Sequence, residues 1–499
     1  MARSALPLIA AFVVAGLVIG PVAAVLWRGG GFTALSPADL DALRFTVWQA
    51  IWSAAISVAL AVPVARALAR RTFPGRSALI SVMGAPFILP VIVAVLGLLA
   101  VFGGNGVLNL LLAPLGVPKL DIYGAHGVIL AHVFFNLPLA VRLILQGWLA
   151  IPSERFRVAA SLGAPVFRLL EWPMLRRIVP GAFAVIFVIC LGSFAVALTL
   201  GGGPRATTVE LAIYQAFKFD FDLGKAASLA VVQLVLGLGA GAVALLLARG
   251  DMLGAGLDRV VQRWDGSRLL DAFWIGAAAL FLLAPLSAIL VAGLPGLADL
   301  PASIWPAAFR SLAISLGAVV LTIALALPLA TRAGEAASLL GISVSGLVLG
   351  TGLFVIAQPF VRPSSIALPV TLLVNVLMAL PFVLRILRPG VEAVQTDFAR
   401  LSASLGLSGW ALWRIVYLPR LRRPMGFAAG LTGALAMGDL GVITLFSRPG
   451  EGTLPLAMYR LMGAYQMQAA YGAALLLVIL SLAMFWVFDR GGRVDADAG

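Results

Sequence analysis

Long apolar stretches alternate along this chain with short polar and basic ones, and within a stretch the apolar residues run on continuously. Val91-Ile92-Val93-Ala94-Val95-Leu96-Gly97-Leu98-Leu99-Ala100 is typical. A half-solvated strand would show a period of two. A helix crossing roughly 30 Å of hydrocarbon instead needs about 20 consecutive apolar residues. The pattern predicts spans near 5–27, 45–69, 78–103, 122–148, 178–201, 226–248, 270–293, 309–331, 337–360, 364–388, 426–446 and 469–489. The expected fold class is therefore all-α, a polytopic membrane protein of about twelve transmembrane helices. Continuous apolar runs exclude a transmembrane barrel, whose strands alternate.

Composition agrees. Hydrophobic residues make up 62% and charged residues 11%, against roughly 45–50% and 25% in soluble domains. The net charge of +14 would suggest nucleic acid in a soluble chain, but here it is almost all arginine in short loops, so no nucleic-acid partner is expected. The three lysines are Lys119, Lys218 and Lys225. The bias of Arg and Lys to alternate loops predicts a bacterial inner-membrane protein with both termini cytoplasmic. Cys190 is alone, and His126 and His132 are the only histidines, too few for a disulfide framework or a metal site. The first apolar run is long for a cleaved signal and reads as an uncleaved first helix. Trp27 and Trp148 read as interfacial anchors.

Internal repetition gives the domain plan. Ala59-Leu60-Ala61-Val62-Pro63-Val64-Ala65 returns as Ala324-Leu325-Ala326-Leu327-Pro328-Leu329-Ala330. Leu137-Pro138 and Arg142 return as Leu380-Pro381 and Arg385, and Ala160-Ser161-Leu162-Gly163 as Ala403-Ser404-Leu405-Gly406. Leu211-Ala212-Ile213-Tyr214 returns as Leu456-Ala457-Met458-Tyr459. Recurrence in one order predicts two parallel six-helix halves, residues 1–250 and 268–490, with extra residues of the first half in the external segment 103–123.

Two cytoplasmic loops, 151–177 and 389–425, carry the strongest signal. Each reads as a short amphipathic helix stopped by a glycine, Gly163 or Gly406, then a second helical stretch bearing Pro173 or Pro419. Small residues before the glycine, Ala159-Ala160 and Ser402-Ala403, would let a partner approach the backbone. Their recurrence points to two docking helices for a cytoplasmic partner.

These loops resemble the EAA loop, Glu-Ala-Ala-x-x-x-Gly with a later Leu-Pro, of binding-protein-dependent ABC importer permeases. Aligned on Gly163 and Gly406, the second alanine falls on Ala159 and Ser402 and the proline on Pro173 and Pro419. The glutamate position holds Arg157 and Arg400, and the glycine-to-proline interval differs by three residues, nearly one helical turn. Two fused halves are similar to the subfamily of ferric-iron and thiamine permeases. The stretches most like the thiamine and thiamine-pyrophosphate group are Arg71-Thr72-Phe73-Pro74-Gly75-Arg76, His132-Val133-Phe134-Phe135-Asn136-Leu137-Pro138, Glu171-Trp172-Pro173, the segment 201–215, and Met437-Gly438-Asp439-Leu440-Gly441-Val442. The resemblance implies a type I importer permease, two copies of a cytoplasmic ATPase docked on the loops, and a periplasmic solute-binding protein. It implies thiamine or its phosphates as substrate, ferric iron being the rival.

No Gly-x-x-x-x-Gly-Lys-Ser/Thr occurs, so the chain is expected to be no enzyme and to bind no cofactor. ATP and Mg would belong to the ATPase. A proton-coupled secondary transporter with parallel repeats is the rival from another class. Charge inside a span costs on the order of 2.5–3.5 kcal/mol, which makes Asp439 the leading substrate-path residue. A carboxylate with aromatic faces would favour a cationic ring. His132 and Asn136, one turn apart, are the other path candidates, against a bland role in interhelical hydrogen bonds. Glu210 and Tyr214 read as solvated loop residues.

Overall fold

The computed structural model describes residues 6–28, 33–83, 89–247, 266–330, 334, 345–448 and 450–493. The helices before residue 150 are α1 (Leu6–Arg28), α2 (Pro37–Arg70), α3 (Arg76–Val82), α4 (Val91–Phe102), α5 (Val107–Leu112) and α6 (Ala125–Leu149). Next come α7 (Ser153–Ser161), α8 (Trp172–Leu191), α9 (Ala195–Leu200), α10 (Val209–Lys218) and α11 (Leu223–Leu247). The chain continues through α12 (Arg268–Gly296), α13 (Ile304–Leu329), α14 (Gly346–Ala357) and α15 (Pro363–Asp397). The last are α16 (Ala399–Ser404), α17 (Gly409–Leu412), α18 (Leu418–Met437), α19 (Gly441–Phe446), α20 (Leu454–Gly463) and α21 (Met467–Arg493). No strand occurs among the described residues.

Eleven helical segments among them are long and apolar enough to cross a membrane. The ninth predicted span appears as the twelve-residue α14, and the residues just before it, 335–344, lie outside the described ones. The predicted 78–103 span is divided between α3 and α4, and two further predicted spans are interrupted at a glycine. The 178–201 run breaks between α8 and α9, and the 426–446 run between α18 and α19. Gly192 and Gly438 stand at the breaks, where a helical glycine costs about 1 kcal/mol relative to alanine. At the second break the Gly441 N–H donates to Asp439 Oδ1 at 3.1 Å, a local bond that competes with the helical ladder.

The packing pairs recur. α2 lies on α6 and α8 as α13 lies on α15 and α18; α8 packs on α11 as α18 does on α21; α4 meets α9 as α14 meets α19. The first helix of each set crosses to the other, α1 onto α14 and α12 onto α4. Glycine permits both crossings. A methyl group at Gly352 would collide with the Pro21 carbonyl, and one at Gly97 with the Pro285 carbonyl, the close backbone approach that small residues allow in membranes. One hydrogen bond also recurs: Val209 N–H donates to Thr46 Oγ1, and Leu454 N–H to Ser311 Oγ, each at 2.8 Å.

A buried ion pair between residues remote in sequence joins α2 to α12. Buried Asp271 accepts from Arg70 at 2.5 Å and from Arg71 Nε at 2.6 Å. Five of the eleven long segments and the shorter α14 separate α7 from α16.

Candidate functional site

The two loops share one backbone solution. α7 and α16 each end in a glycine of positive φ, +60° at Gly163 and +66° at Gly406. Beyond it the N–H of Ala164 bonds Ala159 O and that of Leu407 bonds Ser402 O, both at 2.9 Å, while Leu162 N–H bonds Val158 O and Leu405 N–H bonds Leu401 O. This closes the orphan carbonyls of each helix end. Nothing lies within 4 Å of a methyl group built on either glycine, so the backbone angle requires glycine here, not want of space.

Which residues look outward can now be stated. Ala160, Gly163, Pro173, Ala403, Gly406 and Pro419 are exposed, whereas Ala159 and Ser402 are buried against the rest of the chain. Beside them Leu162 is 75% and Leu405 63% exposed, with Val158 and Leu401 also open. Apolar side chains grouped on a loop that no other element covers mark an interaction face.

Each loop rejoins the bundle through a π-helical turn, Phe167–Glu171 before Trp172-Pro173 and Trp413–Tyr417 before Leu418-Pro419. Proline has no N–H to give the carbonyl four residues back, and the wider turn sets new partners: Trp172 N–H bonds Phe167 O, and Leu418 N–H bonds Trp413 O. The three additional residues of the second loop form the extra turn α17. Anchoring differs between the loops. Glu171 is fully buried, pairs with Arg66 (Nη2–Oε2 2.8 Å) and accepts from Trp148 Nε1 at 3.4 Å. In the second loop Tyr417 instead stacks on Trp413 with centroids 5.8 Å apart, and the Arg420 guanidinium lies 3.5 Å over the Phe398 ring. Glu171 was missed in sequence because its partner is remote. Trp148, expected at an interface, is buried and belongs to this anchor, whereas Trp27 is exposed.

The path candidates gather at the two helix breaks. His132 is buried; its Nε2 is 2.6 Å from Ser193 Oγ and its Nδ1 3.3 Å from Ser53 Oγ. Asn136 Nδ2 donates to His132 O at 2.8 Å and lies 3.4 Å from Cys190 Sγ. These side chains tie α2, α6 and α8 together behind the first break. Asp439 stands in the second break. A methyl group at Gly441 would lie 3.5 Å from Asp439 Oδ1 and 3.8 Å from Phe194 Cδ1, so Phe194, the residue that follows Ser193, faces the glycine whose N–H Asp439 holds. Asp439 Oδ2 is a buried atom with no hydrogen-bond partner.

Glu210 is not solvated. It is 1% exposed in α10 and accepts from Ser345 Oγ at 2.7 Å and Gln233 Nε2 at 3.3 Å. Burial pushes its carboxyl up to about 7, with the Ser345 and Gln233 hydrogen bonds pulling the other way. Tyr214 is half-buried, its ring edge-on to Phe194 with centroids 5.3 Å apart.

No protein-family model matches the chain. Curated proteins do. It is 38% identical over 498 residues to the "Thiamine transport system permease protein ThiP" of Brucella abortus, covering 94% of this chain and 91% of that protein. The Escherichia coli protein of the same name is 39% identical over 485 residues (91% and 90%), and that of Haemophilus influenzae 33% over 463 (88% and 86%). By identity sustained along nearly the whole of both chains, this multi-pass membrane protein belongs to the family of thiamine transport system permeases.

Proposed function

We propose that this chain is the permease subunit of an ATP-driven importer carrying thiamine or its phosphates inward across a bacterial inner membrane. It consists of two halves, residues 1–250 and 268–490. Both termini are cytoplasmic, and the chain performs no covalent chemistry. Two copies of a cytoplasmic ATPase sit on α7 and α16, through Ala160, Gly163 and Pro173 on one loop and Ala403, Gly406 and Pro419 on the other. Ala159 and Ser402 seat the two helices from behind. ATP and Mg are bound by those subunits, and a periplasmic binding protein delivers substrate to the opposite face.

One observation carries this reading: the two loops share the same glycine-closed helix end and the same uncovered apolar side chains, and counting α14 as a crossing would put both on one face. The relatives' names supply the substrate and favour it over ferric iron. The recurring helix pairings and the paired 2.8 Å hydrogen bonds support the division into halves. ATPase closure would draw the loops together. The Glu171–Arg66–Trp148 contact and the Trp413–Tyr417 stack would pass that motion to α8 and α18, whose breaks border the path at Asp439. His132 and Asn136 hold the first break behind it.

The test is uptake of labelled thiamine and of labelled ferric iron in cells lacking this chain, complemented by the wild type. Single cysteines at Leu162 and Leu405 serve for cross-linking. Restored thiamine uptake with both positions cross-linked to the ATPase is expected. Restored iron uptake alone, transport driven by a proton gradient without ATP, or cysteines reached only from the periplasm would overturn the proposal.

A further inference from the structure

The chemistry around the second helix break defines a ligand more narrowly than any loop does. Asp439 uses one oxygen to hold the Gly441 N–H and leaves the other buried and unpartnered. A carboxylate oxygen withdrawn from water without a donor is costly unless a cation visits it. Among the described residues no cation pairs with it. Lys218 and Arg460, the nearest cations of α10 and α20, are turned onto the carbonyls of Leu445, Ser447 and Arg448.

Aromatic rings gather on the far side of Gly441, the residue whose N–H Asp439 holds. Phe194 lies across Gly441, Tyr214 stands edge-on to Phe194, and Phe219 stands edge-on to Tyr214 with centroids 5.7 Å apart. Tyr214 is half-buried. Edge-to-face packing leaves ring faces available, and a flat ring can replace one such contact with a stacked one. Ring faces also attract cations, more strongly the more fully both are desolvated.

We propose that Asp439, Phe194 and Tyr214 form a membrane-embedded recognition site for a flat organic cation, with Asp439 as counter-charge and the rings as walls. Phe194 and Tyr214 come from one half and Asp439 from the other, so relative motion of the halves makes and breaks the site. The inference rests on the importer reading and narrows it to a cationic aromatic ring recognised by the permease itself.

Asparagine at 439 keeps an acceptor for Gly441 N–H and removes the charge, so Asp439→Asn separates recognition from capping. The assay is ATP-dependent thiamine uptake into proteoliposomes holding the permease, its ATPase and the binding protein. Co-purification of the ATPase serves as an independent measure of assembly. The expected result is a fall of at least tenfold for Asp439→Asn and for Tyr214→Leu, with the ATPase retained at the wild-type ratio and a smaller loss for Tyr214→Phe. A neutral isostere of thiamine, with carbon in place of the ring nitrogen cation, should compete poorly with wild-type uptake. Uptake within twofold of wild type in either Asp439→Asn or Tyr214→Leu overturns the site, as does loss of the ATPase from the Asp439→Asn complex. Absence of uptake by the wild type would instead refute the importer reading.

Discussion

Among Asp271, Glu171 and Asp41, the loss of the Asp271 carboxylate should do the most damage. Asp271 lies in the first turn of α12 and is 2% exposed. It accepts from Arg70, whose side chain is 6% exposed, and from Arg71, at 21%. Removing a carboxylate from such a pair strands buried positive charge and costs about 3–5 kcal/mol. Arg71 can turn to water, whereas Arg70 has little access to it, so the cost falls within that range. By contrast Asp41–Arg44 is 74% and 79% exposed, and breaking an exposed pair costs about 0–1 kcal/mol. Glu171→Ala falls between them, because its partner Arg66 is 33% exposed and can be resolvated. The assay is thermal unfolding of the detergent-solubilised protein followed by tryptophan fluorescence. The expected order of midpoint loss is Asp271→Ala, then Glu171→Ala, then Asp41→Ala, with the first a drop of several degrees. An Asp271→Ala midpoint no lower than that of Asp41→Ala would show that burial does not set the cost, and the reasoning would fail.

Three other outcomes follow from single sites. Gly163→Ala and Gly406→Ala face no steric barrier but must hold φ near +60° and +66°, about 1–2 kcal/mol each; both should lower ATPase co-purification to a similar degree. Gly352→Ala collides with the Pro21 backbone and should destabilise the α1–α14 crossing by about 1–3 kcal/mol, whereas Gly16→Ala, with nothing within 4 Å, should be neutral or stabilising; unfolding midpoints distinguish them. For Glu210 the native carboxyl titrates near 7, above its ordinary value of 4.5. The native state then binds the extra proton, so stability is greatest below pH 4.5 and is lost as pH rises through 7. Midpoints measured across that window should fall more steeply in the wild type than in Glu210→Gln.

The spans were legible because hydrocarbon thickness imposes a length that few soluble sequences meet. The loops were legible because they occur twice, and Ala-Ser-Leu-Gly carries its own stop signal in the glycine. The breaks in the spans at 192–194 and 438–440 were not legible, since a glycine and one polar residue inside an apolar run look like ordinary span interior. α15 runs on to Asp397, well past the predicted end of its span, because the basic stretch that marks the membrane boundary does not stop a helix. Glu210 follows a Gly-Gly-Gly-Pro turn and so read as solvated, yet α10 folds back into the bundle and buries it. Glu171 and Asp271 were invisible for a different reason. Their arginines lie 105 and about 200 positions away, and a single sequence says nothing about which distant charges meet.

Repetition, the most legible feature, also conceals where function is uneven. The two breaks occupy corresponding places, but the first carries Ser193, held by His132 and through it by Ser53. The second carries Asp439, with one oxygen left over. A serine so bonded stiffens its helix break, whereas an unpaired carboxylate stores an electrostatic cost that a cation can relieve. Two breaks at corresponding places can thus divide the work, one giving a braced wall and the other the charge. The loops divide it in the same way, with an ion pair at Glu171 against an aromatic stack at Tyr417. Salt screens exposed charge and leaves stacking almost untouched, and Arg66, a third exposed, puts the first anchor within partial reach of that screening. Raising ionic strength should therefore weaken coupling through the first loop before the second, an asymmetry that equivalent loops could not show.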